Sequence, residues 1–161
     1  MTTNSAMLST PTDTQILMVR EFDAPVALVW RAYTEPELVS RWWPGRRGTM
    51  QSCEIDFRVG GSWRYVMVAS EGFEVAFHGS YQEIVEGERI VNTEVFEGAP
   101  GGDDNAAVNT IAFIDVDGRT RLEVLTQCPS KEVRDAIIDS GMEAGMQDAL
   151  DLLEQAAVSL R

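Results

Sequence analysis

The stretch SGMEAGMQDAL, residues 140–150, places two glycines, Gly141 and Gly145, four residues apart inside a segment whose apolar spacing is helical. A glycine in a helix interior costs roughly 1 kcal/mol relative to alanine, so two in one segment call for a reason. The surrounding sequence, residues 129–160, reads as one amphipathic helix opened by Ser130 as N-cap, with Glu132 and Asp135 near its positive end. At about 100° per residue, Ile138, Gly141, Met142, Gly145, Ala149, Leu152, Leu153, Ala156 and Leu160 share one stripe, while Glu143, Gln147, Asp151 and Glu154 lie opposite. The stripe is thin at Gly141, Gly145 and Ala149. The expectation is therefore a long helix lying on a sheet, with volume left beneath its small residues.

Working outward, the rest of the chain supplies that sheet. TQILMVREF (residues 14–22) is apolar and β-prone. DAPVALVWRAYT predicts a helix with Asp23 as N-cap and Val26, Val29, Trp30 and Tyr33 at helical spacing, and EPELVSRWW a shorter one with Pro36 in its first turn. From residue 49 the period changes to two. TMQSCEIDFRV sets Cys53, Ile55 and Phe57 against Glu54, Asp56 and Arg58. SWRYVMV puts Trp63, Tyr65 and Met67 on one face, and FEVAFHGSYQEIV puts Phe73, Val75, Phe77 and Tyr81 opposite Glu74, His78, Ser80 and Gln82. Gly79 in mid-strand marks a place where a bulge can shift register. RIVNTEVF, AVNTIAFIDV and RTRLEVLTQC complete about six meandering antiparallel strands, the last two joined by Asp117-Gly118. The loop EGAPGGDDNA after RIVNTEVF has a mobile composition, and residues 1–12 read as a polar, disordered tail before a single domain over residues 13–161.

Charge and composition narrow the function. The chain has 161 residues, a net charge of −13 and 44% hydrophobic residues, enough for one domain with a real core. Residues 1–50 hold five acidic and five basic side chains, so the whole acid excess lies in the remainder. A polyanion without a basic stripe is a poor partner for nucleic acid. No apolar run approaches the ~20 residues of a membrane span, and the first residues carry no export signal, so no membrane partner and a cytoplasmic location are expected. Cys53 and Cys128 lack metal-ligand spacing and companion histidines, and read as reduced core residues.

With strand, two helices, six antiparallel strands and a C-terminal helix in hand, the sequence resembles the START-like helix-grip superfamily, also called SRPBCC. Within it the likeness is to the branch of activator of heat-shock protein 90 ATPase homologues. The likeness is carried by REFDAPVALVWRAYTEPE (residues 20–37), Trp42-Trp43, VGGSWRY (59–65), FHGSYQEIVEGERIV (77–91) and PSKEVRDAIIDSGMEAGM (129–146), and covers nearly the whole chain after the first dozen residues. The resemblance implies an α+β fold in which a curved antiparallel sheet of about seven strands, in the order β-α-α-β6-α, wraps a long C-terminal helix. It also implies an internal cavity for a small hydrophobic or aromatic molecule. The residues placed to line it are Trp63, Tyr65, Phe77, Tyr81, Met142, Gly145, Met146 and Ala149. The same aromatics can equally fill a dry core.

No nucleophile elbow, phosphate loop or metal motif appears, so no catalytic residue, cofactor or metal is assigned. His78, the only histidine, faces away from Phe77 and Tyr81 and has no evident orienting partner. Two rivals to plain binding stand beside it. One is an enzyme of the polyketide cyclase or aromatase type, using Tyr65, Tyr81 or His78 for proton transfer in the same cavity. The other is a chaperone cofactor, for which the family name is the sole ground and against which the chain shows no additional N-terminal domain of the kind eukaryotic co-chaperones carry. A homodimer is left open. Trp42-Trp43 before PGRRG is a candidate aromatic and basic surface patch with Arg46 and Arg47. Arg134 and Asp135 are candidates for a pocket mouth.

Overall fold

Alternation dictates the sheet. In the strand Gln15–Phe22, every second residue, Ile16, Met18, Arg20 and Phe22, is buried, because successive side chains point to opposite faces. In the computed structural model, which describes residues 5–46, 48–98 and 101–161, this strand is β2. The others are Met7–Ser9 (β1), Gly48–Ile55 (β3), Ser62–Ala69 (β4), Glu74–Val85 (β5), Arg89–Phe96 (β6), Ala107–Val116 (β7) and Arg119–Gln127 (β8). All pair antiparallel in the order β1-β2-β8-β7-β6-β5-β4-β3. The helices are Val26–Thr34 (α1), Pro36–Trp42 (α2), Lys131–Asp139 (α3) and Met142–Val158 (α4). α4 packs against α1 and α2, and Leu153, Ala156 and Ala157 join the core that the sheet supplies with Phe22, Ile111, Phe113 and Leu122. This is the expected α+β helix-grip architecture, with eight strands rather than about seven.

The added strand comes from the segment read as a tail. Met7–Ser9 pairs with residues 17–19 of β2, and Ala6 is fastened to α4 by a reciprocal pair. Its N–H donates to Gln147 Oε1 at 3.1 Å, and Gln147 Nε2 donates to its carbonyl at 2.9 Å. The tail reading therefore fails from residue 6 onward: the backbone groups find partners in β2 and Gln147. Residues 1–4 lie outside those described.

The single C-terminal helix is also corrected. It breaks between α3 and α4 at Gly141, whose φ is +82°, in the left-handed region that a Cβ disfavours by about 1 kcal/mol or more. Ser140 caps α3 and donates its hydroxyl to the Ile137 carbonyl at 2.6 Å. Gly141 thus does not thin an inner stripe; it ends one helix and starts the next. The polar stripe is not free either. Asp151 and Glu154 take the buried Arg20 guanidinium from β2, at 2.7 and 3.0 Å. In α1, the position expected for an Asp23 cap is held by Pro25 with no side-chain bond. The Asp23 carboxylate instead accepts from Arg119 Nε at 2.9 Å.

Gly141→Ala and Gly145→Ala should therefore move stability in opposite directions. At Gly141 an added Cβ meets no atom within 4 Å, so the cost is backbone strain alone, about 1 kcal/mol. At Gly145, a helical site with equally open surroundings, alanine gains roughly 0.5–1 kcal/mol. Urea midpoints of the two variants check the pair; equal signs would contradict the break.

Candidate functional site

Between the inner face of the sheet and the N-terminal half of α4 lies a cleft of about 390 Å³. Its aromatic wall rises from β4, β5 and the end of α2. Trp43 meets Tyr65 and Phe77 edge-on, with centroids 5.2 Å apart in both pairs, and Tyr65 lies 4.7 Å from Trp63. Ile16, Met18, Ile111 and Val124 from the sheet and Met142, Gly145, Met146, Ala149 and Leu150 from α4 supply the apolar remainder. Seven of the residues placed here by sequence reasoning, Trp63, Tyr65, Phe77, Met142, Gly145, Met146 and Ala149, line this one cleft. Tyr81 does not. It is buried behind the wall, with its ring against Phe57 at 5.2 Å. A Cβ on Gly145 would find empty space, whereas Gly141 lies outside the lining.

Gly79 has a different task from a bulge; the register shift in β5 falls between Tyr81 and Glu83. A Cβ on Gly79 would overlap the Thr93 carbonyl oxygen and lie 2.7 Å from Trp63 Nε1. Its absence lets the Trp63 indole cross β5 and donate to that carbonyl at 3.1 Å, which locks the ring in the wall.

The floor is polar, and sequence reasoning missed it. Asn92 on β6, Asn109 on β7 and Thr126 on β8 are register partners across three strands. Thr126 Oγ1 donates to Asn109 Oδ1 at 2.7 Å, and Asn109 Nδ2 donates to Asn92 Oδ1 at 3.2 Å and to Glu94 Oε1 at 3.0 Å. That chain fixes the Asn109 amide, so the Glu94 carboxyl is positioned by the protein itself. Burial pushes the Glu94 carboxyl above its ordinary range, and the Asn109 hydrogen bond opposes this. Among the described residues no cation pairs with it. Tyr33 from α1 also faces the cleft. Burial, reinforced by Glu94, pushes its phenol well above the usual range, and burial does the same for Tyr65 and Tyr81. The signal was present in RIVNTEVF: if Ile90 is buried, alternation sends Asn92 and Glu94 inward with it.

The remaining candidates lie elsewhere. His78 is on the outer face, where its ring nitrogens sit 2.8 Å from Glu97 and 2.8 Å from Asp103 of the turn Gly102–Asn105. Hydrogen bonding to Asp103 and then Glu97 raises its pKa, and the Arg64 guanidinium followed by His78 holds Glu97 down at about 2. Part of the loop read as mobile is therefore tied down, although residues 99 and 100 lie outside those described. Trp42 is buried and donates Nε1 to the Ala32 carbonyl at 2.8 Å, Trp43 is half-buried, and both line the cleft. Neither forms an exposed patch; Arg46 pairs with Asp148 at 3.3 Å, and Arg47 is outside the described residues. Arg134 does not reach the mouth. It is buried, donating to the Thr12 carbonyl at 2.8 Å and to Asp135. Both cysteines are free thiols, Cys128 buried and Cys53 partly so.

Residues 23–157 match the family model described as Activator of Hsp90 ATPase homolog 1-like protein. The chain belongs to this family. Solved structures share the fold over nearly the whole chain. A protein of Rhodobacter sphaeroides superposes with a TM-score of 0.88 at 24% identity, covering 96% of this chain and 99% of its own. One from Chromobacterium violaceum does so at 0.78 and 28%, covering 91% and 98%, and the AHSA1-like protein of Aeromonas hydrophila at 0.67 and 18%, covering 89% and 93%. No curated protein matches the chain in sequence. No helix among the described residues is long and apolar enough to cross a membrane, and none of their His, Cys, Asp and Glu side chains group as metal ligands.

Two substitutions test this geometry. Gly79→Ala sets a methyl group against a backbone oxygen that cannot swing away, and should cost about 3 kcal/mol or prevent folding; a near-neutral urea midpoint would refute the close approach. For Glu94, a folded pKa raised above its ordinary 4.5 means that the folded state keeps a proton the unfolded state has released. Its stability therefore falls as pH climbs from about 4.5 through the folded value. Glu94→Gln removes that loss, so the variant should be more stable than wild type at pH 7, with the difference closing toward pH 4. A constant difference across that range would contradict it.

Proposed function

We propose that this protein binds a small hydrophobic or aromatic molecule in the cleft between the sheet and α4. The observation that carries the reading is the aromatic wall of Trp43, Trp63, Tyr65 and Phe77 facing unfilled space at Gly145. A volume of 390 Å³ falls in the range of small-molecule sites, about 300–1,000 Å³, and an apolar lining with a few convergent polar groups is their usual composition. Family membership supports it too, since START-like domains are a ligand-binding class.

Proton-transfer chemistry of the cyclase type is the weaker reading. The Tyr65 and Tyr81 phenols are pushed away from neutral pH by burial, and His78 stands on the other face of the sheet. A group with its pKa far from the operating pH is a poor acid or base. The chaperone-cofactor reading has the family name as its ground.

Native mass spectrometry of the protein purified from its own host, followed by denaturing extraction, tests the proposal. The expected result is a stoichiometric small molecule on the wild type and none on Gly145→Leu, with both proteins equally folded by circular dichroism. Equal loading of the variant, or an empty wild type that ignores aromatic and lipid probes, would overturn it.

A further inference from the structure

The cleft is apolar except at its floor, and there it holds a carboxyl group. Glu94 Oε1 accepts from Asn109 at 3.0 Å, the only hydrogen bond its carboxyl group makes among the described residues, and no Arg, Lys or His among them pairs with it. A carboxylate taken out of water is expensive unless a cation meets it, and elsewhere this chain does pair its buried charge, as Arg20 with Glu154 and Asp151. Around Glu94 the chain instead provides aromatic rings. Tyr33, Tyr65, Trp43 and Trp63 line the same cleft as Glu94, with Trp43 and Trp63 beside Tyr65. Rings around an anion form the surroundings that recognise an organic ammonium group, whose charge is attracted to both. The global charge of −13 also draws cations and repels carboxylates and phosphates.

We propose that the cleft selects a primary amine on an aromatic or alicyclic body, with the ammonium group seated on Glu94 and the body held among Trp43, Trp63, Tyr65 and Phe77. The inference rests on the small-molecule reading above and narrows it to a chemical class. Asn109 is a positioning residue: its amide, held by Thr126 and Asn92, aims the carboxyl group and does not itself need to touch the ligand.

The test is calorimetric titration of the full chain at pH 7 with three indoles of similar size and different charge: tryptamine, the neutral alcohol tryptophol, and indole-3-propionate. Tryptamine should bind about tenfold or more tighter than tryptophol, and the propionate weakest, in line with a charge-assisted hydrogen bond. Glu94→Gln, nearly isosteric, should lose about tenfold or more for tryptamine and change tryptophol by less than about threefold. If that variant fails to fold, the wild-type ranking decides alone. Tryptophol or the propionate binding as well as tryptamine would overturn the amine preference while leaving small-molecule binding intact. Binding of none of the three would overturn the amine preference as well, while the mass-spectrometric experiment above decides small-molecule binding by itself.

Discussion

The arrangement of this domain turns on one buried ion cluster. Arg20 lies on the inner face of β2 almost wholly out of solvent, stacked on Phe22 with its guanidinium carbon 4.9 Å from the ring centre, and reaches Asp151 and Glu154 of α4. The other Glu154 oxygen accepts the Asp23 N–H at 2.7 Å, so one carboxylate ties the helix to both β2 and the turn before α1. Removing one partner of such a cluster typically costs about 3–5 kcal/mol, because the charge left behind stays buried. Its effect on specificity matters as much. A greasy helix can slide or rotate on a greasy sheet, but α4 cannot turn without pulling two carboxylates off Arg20. With that face fixed, Met146, Ala149 and Leu150 are obliged to look over the cleft.

The aromatic residues form two ring-packed groups along the same sheet, and Tyr33 and Trp42 of the first also border the cleft. Trp30, Phe113, Tyr33 and Trp42 pack ring to ring, with Trp30 and Phe113 centroids 4.9 Å apart, and close the end nearest α1. Trp43, Trp63, Tyr65 and Phe77 form the other group and stop short of filling the volume below Gly145. Adjacent tryptophans, 42 and 43, both border the cleft, Trp42 held by its hydrogen bond to the Ala32 carbonyl and Trp43 packed edge-on against Tyr65 and Phe77.

Much of this was readable in the sequence wherever periodicity decides the outcome. Alternation placed Trp63, Tyr65 and Phe77 on one face and His78 on the other. Asp117-Gly118 gave its hairpin, with both residues at positive φ as a type I′ turn requires. Tyr81 shares the face but lies beyond the wall, a matter of position along the strand that alternation does not resolve. What escaped the reading were polar residues at inward positions. Arg20 alternates with Ile16, Met18 and Phe22, and Glu94 with Ile90 and Asn92, so their facing was encoded. Their partners were not, because Asp151 on α4 and Asn109 and Thr126 on neighbouring strands are brought near only by the assembled sheet and helix. The helix break escaped for a related reason: Gly141 and Gly145 look alike in a helical pattern, and only the backbone angle at Gly141 separates a terminator from a gap.

That break divides the last part of the chain into two cooperative units. α4 buries Leu150, Leu153, Ala156 and Ala157, so its backbone opens only when the core does. α3 buries a single side chain, Arg134, and is held by polar ties: the Ser130 hydroxyl that accepts from Val133 and the Arg134 bond to the Thr12 carbonyl. A helix held in that way has little apolar area to lose on opening, and its amides exchange with solvent through local events rather than global unfolding. Protection from hydrogen exchange should accordingly fall across Gly141 in a single step, dividing a stretch that its sequence presents as one helix into a slow half and a fast half.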